Sequence, residues 1–387
     1  MKIKLAVWAI ALTAGFGVTT AQAEEFAVGS VISLTGANAR GGSGMHEGIM
    51  TAVEVFNRQQ SKHKIKLVTI DDESAPAKAI AGVEQLASQN VVAITGGATS
   101  DLVGPASTAA NKLGLVYITS GGTSEELISQ GYKKFFRINN TSGYVHAMTG
   151  MFSDMGIKSL SIIYSTKKST NELAVDVDKI MTAKGVKVTL HPFDPAITDF
   201  KPILNKVRLQ DRPDAINMLG YENDYVGILR AAKVLKPNVK ALVGVWQIAN
   251  AKMAGDFPDL VPNVSGTEIL PYPVAFSTAE GKLFETTFKA LYHKSPDYLG
   301  EYGFVQSMAL FEAIARAADK GSLKKGGLAD EMRKTDRDTL IGRLQFNDKG
   351  DNPNFIQHIG QHQGGKIVIV WPKEFATGKM NFPGVPW

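Results

Sequence analysis

VVAITGGATSDLVGPASTAANKLGLVYITSGGTSEE, residues 91–126, decides the fold. Its two apolar runs, 91–97 and 115–122, are short enough for strands. The segment between them, 101–114, spaces its apolar residues as a helix does. A strand, a helix and a second strand, with both strands apolar throughout, read as parallel strands covered on both faces. Each strand empties into small residues and ends on an acid: GGATSD (96–101) and TSGGTSEE (119–126).

The same alternation continues upstream. FAVGSVISL (26–34) and KIKLVTID (64–71) read as strands, SGMHEGIMTAVEVFNRQ (43–59) as an amphipathic helix, and PAKAIAGVEQLASQ (76–89) as a helix with Pro at its start. A second series begins after FRINNTS (136–142). Its strands are expected at 159–165, 186–193, 215–221 and 241–246, with helices around 143–155, 168–184, 199–209 and 223–235. The tail holds a long helix within 295–321 and late strands within 342–351 and 365–372. Two consecutive α/β series predict two doubly wound parallel-sheet lobes. A chain of 387 residues supports that division, since one core stops growing near about 250–300 residues. The chain is expected to cross between lobes near 140, 273 and 350. This gives one lobe from 24–140 plus 274–349 and another from 141–273 plus 350–387.

The first 23 residues read as a secretory signal peptide: a basic MKIK, an apolar stretch at 5–18, and AQA at 21–23 for cleavage. The alternative is an uncleaved anchor, but the run falls short of the roughly 20 residues a membrane span needs. The chain has no cysteine, so it lacks the thiol on which a bacterial lipoprotein carries its lipid. A protein free in the periplasm is expected. Net charge is +5, falling to +3 without Lys2 and Lys4, and the basic residues are scattered, which excludes a nucleic-acid footprint.

Enzyme signatures are missing. No phosphate loop occurs, GGSGMHEG (41–48) does not fit a dinucleotide fingerprint, and HEGIM (46–50) lacks the second His of a zinc peptidase. Ser165 and Lys168 satisfy S-x-x-K without its companion motifs, which is a chance match. Seven scattered His and no Cys argue against a structural metal, and no cofactor is expected.

The two small-residue loops have a plainer use and a functional one. Ser, Thr, Asp and Gly cap helices and close strand–helix turns. The same residues also lie outside the carboxyl ends of parallel strands, where ligands of open α/β sheets bind. There, bare backbone, hydroxyls and helix N-terminal N–H groups suit a small carboxylate. Both uses stay open on the residues alone.

VGSVISLTGANARGGSGMHEGIMTAVEVFN (28–57), IDDESAPAKAIAGVEQL (70–86), ITGGATSDLVGPAS (94–107), LVYITSGGTSEEL (115–127), FFRINN (135–140) and GYENDYVGILRAAK (220–233) occur in an order that resembles one family. The chain is similar to the branched-chain amino-acid (Leu/Ile/Val-type) periplasmic solute-binding proteins of the type I fold. The resemblance implies two lobes joined by three strands, a ligand trapped by hinge closure, and delivery to an inner-membrane ABC permease, by a protein expected to be a monomer. It places the ligand carboxylate at Ser100, with Ala98 and Thr99 beside it, and adds Gly121 and Thr123 from the second loop.

In the other lobe the pattern departs. Around Ser169 the family's usual aromatic is replaced, while Tyr221 keeps the next one. Where amino-acid binders carry an acid for the ligand ammonium, this chain has Trp246, followed by Gln247. A buried ammonium without a counter-charge is costly, whereas an indole stacks on a planar ligand. Trp246 is therefore expected to face an aromatic or other non-amino carboxylate, the alternative being a core residue. Tyr221 is open to packing or contact. Arg40 reads either as a bidentate grip on a carboxylate or as a solvated loop residue, and Tyr302 as a cleft residue or a helix-start contact. Glu222 and Asp224 either rescue an ammonium or cap the following helix. Branched-chain or other amino acids remain the alternative ligands, and a ligand-sensing regulatory subunit is the alternative role.

Overall fold

The computed structural model describes residues 23–274, 276 and 278–387; the leader expected at 1–23 lies outside them but for its last residue. The first sheet is entirely parallel, in the order β2 (His63–Asp71), β1 (Glu24–Ile32), β3 (Ala93–Gly96), β4 (Val116–Thr119), β5 (Phe135–Arg137). Its strands are apolar on both sides because both sides are covered. Val31, Ile94 and Tyr117 face α2 (Pro76–Ser88) and α3 (Ser100–Lys112). Val28, Ala93 and Ile118 join the larger core with Phe56 of α1 (Ala39–Gln59).

That larger core also takes in a helix from far along the chain. After α4 (Glu125–Ser129), α5 (Thr141–Asp154), α6 (Lys168–Ala183), α7 (Lys201–Lys206), α8 (Glu222–Leu235), α9 (Ala251–Asp256) and α10 (Ala279–Tyr292) comes α11 (Tyr298–Asp319). It packs on α1, with Phe311 edge-on to Phe56, and Ser307 and Gln306 reach Thr95 of β3. The contact is close because glycines face it. A Cβ added at Gly48 would lie 2.0 Å from the Gly300 carbonyl, and one at Gly303 2.2 Å from the Met45 carbonyl. Backbone cannot yield there as a side chain can. Gly48→Ala is expected to destabilise by about 1–3 kcal/mol, the usual range for overpacking, read as a lower urea midpoint at unchanged slope.

The second sheet runs β14 (Lys366–Trp371), β13 (His358–Gln363), β10 (Ser265–Glu268), β9 (Ala241–Gly244), β8 (Ala215–Leu219), β6 (Ser159–Ser165), β7 (Lys187–Phe193). From β7 to β10 it is parallel. The expected all-parallel second lobe is corrected at its end, where β13 and β14 are antiparallel. The cause is local: Gly364 and Gly365 connect the two strands with φ of +57° and +76°, and two consecutive residues at positive φ make a tight hairpin. A small hairpin, β11 (Asp336–Thr339) with β12 (Gly342–Gln345), follows α12 (Leu328–Arg333). The strand expected over 342–351 therefore stops at Gln345, and the expected helix at 199–209 is a short α7 followed by one π turn, Val207–Asp211.

The sheets are linked where β5 gives way to α5, where β10 leads toward α10, and where β12 leads to β13. Two of these connections touch. Arg137 and Asp351 form an isolated parallel bridge. The Arg137 side chain, wholly buried, grips the Asp351 carboxylate at 2.8 and 3.0 Å and donates to the Thr123 and Ser124 carbonyls at 2.6 and 2.9 Å. Its remaining contact is Glu125 at 3.0 Å. Among the described residues, no helix is long and apolar enough to cross a membrane.

Candidate functional site

The carboxyl ends of both sheets face one cleft. From the first sheet come Ala98 and Thr99 after β3, Ser120, Gly121 and Thr123 after β4, and Asn139 after β5. From the second come Ser169 in the first turn of α6, Tyr221 ahead of α8, and Trp246 and Gln247 after β9. Met45 of α1, Tyr144 of α5, and Tyr298, Leu299 and Tyr302 of α11 complete the lining of an inner cavity. An outer cavity shares Met45, Ala98, Thr99, Tyr221, Gln247 and Leu299 with it and adds Arg40, Lys167, Glu222 and Asp224.

The two small-residue loops are fitted backbone to backbone. A Cβ on Gly121 would sit 2.0 Å from the Gly97 carbonyl, so only glycine allows this approach. Ser100 is the tie between the loops. Its Oγ accepts from the Thr123 and Ser124 N–H groups at 3.0 and 3.1 Å, and it is not among the residues lining either cavity. Ala98 and Thr99 are the wall, and Ser100, the expected carboxylate contact, sits behind them and holds the second loop in place with its two lone pairs, which leaves its O–H donor uncommitted. Thr99 precedes α3 and spends no side-chain bond on capping it.

Across the cleft, Tyr221 and Trp246 lie with ring centroids 5.4 Å apart, and Tyr144 meets the Trp246 ring edge-on at 6.1 Å. Trp246 occupies the left-handed region, φ +55°, and its N–H is held by Thr267 Oγ1 at 2.5 Å. A bulky residue in that region is strained by about 1 kcal/mol or more, and such strain collects at ligand-binding positions. The expectation that Trp246 serves only the core does not fit its half-buried place on the cavity wall.

The charged residues near the mouth are already engaged. Arg40 reaches across the cleft to Glu222 and Asp256, so it is neither a free grip nor a solvated loop residue. Asp224 accepts from the Tyr221 N–H at 2.9 Å and closes a capping box on α8. Burial raises both Glu222 and Asp224 above the ordinary carboxylate range. Lys168 pairs with Glu126 across the lobes, and Ser124 donates to Glu172 at 2.6 Å. These contacts bridge the cleft beside the inner cavity. Among the described residues, no acid or base lines that inner cavity.

Behind the tyrosine wall two acids are buried. Burial, then the neighbouring charge of Glu301, pushes Glu268 well above its ordinary range. Burial, then Asp297, raises Glu301 to about 8. A carboxyl raised in the folded state contributes stability that is complete below its ordinary value of 4.5 and is lost as pH climbs through about 8. The urea midpoint is expected to fall over that interval, and Glu301→Gln to flatten the fall.

Residues 25–359 match the model of a family described as periplasmic binding protein. This chain belongs to the periplasmic binding protein family. Members are solute-binding components of ABC transporters and are not enzymes. The Leucine-, isoleucine-, valine-, threonine-, and alanine-binding protein of Pseudomonas aeruginosa is 24% identical over 349 residues, 88% of this chain and 91% of that one. Among solved structures, a leucine-binding protein from Thermotoga maritima superposes with a TM-score of 0.80 at 22% identity, covering 89% of this chain and 97% of that one. A solute-binding protein from R. palustris in complex with benzoate does so with a TM-score of 0.80 at 18% identity, covering 89% and 95%. These likenesses to solved structures show the type I fold.

Within this periplasmic binding protein, the cavity gathers Ala98, Thr99, Gly121, Thr123, Ser169, Tyr221, Trp246, Gln247 and Tyr302, puts Arg40 at the outer mouth and leaves Ser100 behind the wall. Met45, Ser120, Asn139, Tyr144, Tyr298 and Leu299 were not expected there. Tyr298 had a signal: it precedes Tyr302 by four residues on one helix, the spacing that puts two side chains on one face.

Proposed function

We propose that this chain is the exported solute-binding component of an ABC importer and that its inner cavity takes a small aromatic, or otherwise non-amino, carboxylate. The observation that carries the reading is a cavity walled by Trp246 and four tyrosines with no ionised side chain on its lining among the described residues. An ammonium placed there would be desolvated without a counter-charge, at a cost of several kcal/mol. A carboxylate fares better. Thr99, Ser120 and Thr123 bring hydroxyls, bare backbone is exposed at Gly121, and the N-terminus of α3 adds partial positive charge.

In this reading residues 1–23 are a cleaved leader, and the protein acts as a monomer in the periplasm before handing its ligand to a membrane permease. Residues 24–140 with 274–349 move as one lobe against 141–273 with 350–387. Arg40 with Glu222 and Asp256, and Lys168 with Glu126, hold the lobes together once the ligand is in. The names of the relatives favour a second reading, a branched-chain amino acid, which would need an acid from the mouth to turn inward.

A thermal-shift panel on ligand-stripped protein separates the two. At about 100 times its dissociation constant a ligand stabilises by about 2.7 kcal/mol. Acids without an α-amino group, benzoate-type acids foremost, are expected to raise the transition, and leucine to leave it in place. A strong shift with leucine would replace the first reading by the second.

A further inference from the structure

The inner end of the cavity carries one polar group without a partner. Asn139 is 2% exposed, lines the inner cavity and does not line the outer one. Its Nδ2 donates to the Tyr144 hydroxyl at 2.9 Å, while its Oδ1 has no hydrogen-bond partner. Of the neighbouring phenols, Tyr302 already has an acceptor. Tyr302 donates toward Gln357 Oε1 at 3.4 Å, and Gln357 is in turn fixed to the Glu268 carbonyl at 3.0 Å. Burial holds the Tyr144 hydroxyl up at about 12, so it stays a neutral phenol at any working pH. A buried acceptor left unpaired is costly, and one that lines a ligand cavity is relieved when the ligand supplies a donor.

From this we infer that the ligand is an aromatic carboxylate bearing a ring hydroxyl, and that the Asn139 amide recognises the hydroxyl. The inference rests on the aromatic-carboxylate reading above and narrows it. A hydroxyl suits the site better than an amine or a carbonyl. It can donate to Oδ1 as the amide now stands, and it can accept if the amide turns to offer Nδ2. The ring lies against Trp246 and Tyr221, and the carboxylate is held by the loops after β3 and β4. Asn139 is the specificity-determining residue.

The test is calorimetric titration of the wild-type protein and Asn139→Ala with benzoate, the three hydroxybenzoates and the three methylbenzoates, whose methyl group matches the hydroxyl in size. In the wild type one hydroxybenzoate is expected to bind about tenfold or more tightly than the methylbenzoate of the same pattern. Asn139→Ala is expected to bring that ratio close to one. A variant that merely packed worse would weaken both members of the pair together and leave the ratio standing. The wild-type comparison needs no variant, so a misfolded Asn139→Ala does not spoil the test. Equal binding of hydroxyl and methyl partners in the wild type overturns the inference and leaves the aromatic-carboxylate reading intact, as does a ratio that survives Asn139→Ala. Failure of every aromatic acid, with leucine binding, removes that reading and the inference with it.

Discussion

Trp246→Ala is expected to weaken ligand binding by about 2–3 kcal/mol, roughly 30- to 150-fold, the size of effect found when a central aromatic anchor is truncated. The indole is half-buried on the cavity wall, so a ligand against it would complete its burial. It is also positioned: its backbone turns at φ +55° and its N–H is fixed by Thr267, so the ring meets Tyr221 and Tyr144 without a search over rotamers. Trp246→Phe, which keeps a smaller ring, is expected to lose less than half as much. Urea unfolding of the two ligand-free variants is the control. If alanine costs as much folding stability as binding energy, the indole serves the core and the binding loss is secondary.

Arg137→Met is expected to cost about 3–5 kcal/mol of folding stability, the range for breaking a buried ion pair by removing one partner. Methionine fills similar space, so the loss is not one of volume. The loss falls on the groups left behind: Asp351, largely buried, has no other cation within reach among the described residues, and the Thr123 and Ser124 carbonyls lose their charged donor, keeping only Thr141 and the Leu127 N–H. Because the Thr123 carbonyl is one of them, the loop that walls the cavity is loosened as well, and ligand affinity should fall with stability. The double variant Arg137→Met, Asp351→Asn is expected to recover part of the stability by removing the stranded charge. Urea midpoints of the wild type, the double variant and the two single variants Arg137→Met and Asp351→Asn check this, and additive losses would refute the coupling.

The elements that sequence reveals best are those whose pattern and burial agree. SLSIIYS, 159–165, is apolar and β-branched, and β6 occupies those residues. The helix expected from residue 43 begins at Ala39 instead. Gly41, Gly42 and Gly44 are poor helix formers by themselves, and tertiary contact overrides that preference: a Cβ on Gly42 would strike the Ser33 carbonyl at 1.9 Å. Strand β13 was illegible for the opposite reason. HIGQHQ carries no apolar run, yet it is buried, and most of its polar groups find partners: Gln361 at the Asn263 and Asn381 carbonyls, His362 Nε2 at the Ile248 carbonyl. That satisfaction comes from residues distant in the chain, which no local pattern contains.

The site divides in the same way. Residues at strand ends, Thr99, Gly121, Tyr221 and Trp246, stand out because position and residue type coincide. Ser100 looked identical to Thr99 in composition, and only the loop folded against it shows that its hydroxyl oxygen accepts from two backbone N–H groups. Arg40 carried a charge in a loop over the cleft, but its partners lie 182 and 216 residues away in the other lobe. Asn139 and Tyr144 come from the crossing segment, whose approach to the cavity depends on how the two sheets meet.

The most direct measurement is a calorimetric titration with 3-phenylpropionate and phenylalanine, which share a ring and a carboxylate and differ by one ammonium. The cavity of Trp246, Tyr144 and Tyr302 predicts saturable binding of phenylpropionate and binding of phenylalanine weaker by about a hundredfold or more, since the ammonium is desolvated without a partner. Equal or tighter binding of phenylalanine would mean that an acid reaches the ligand, and the uncharged cavity would not be the binding site as described.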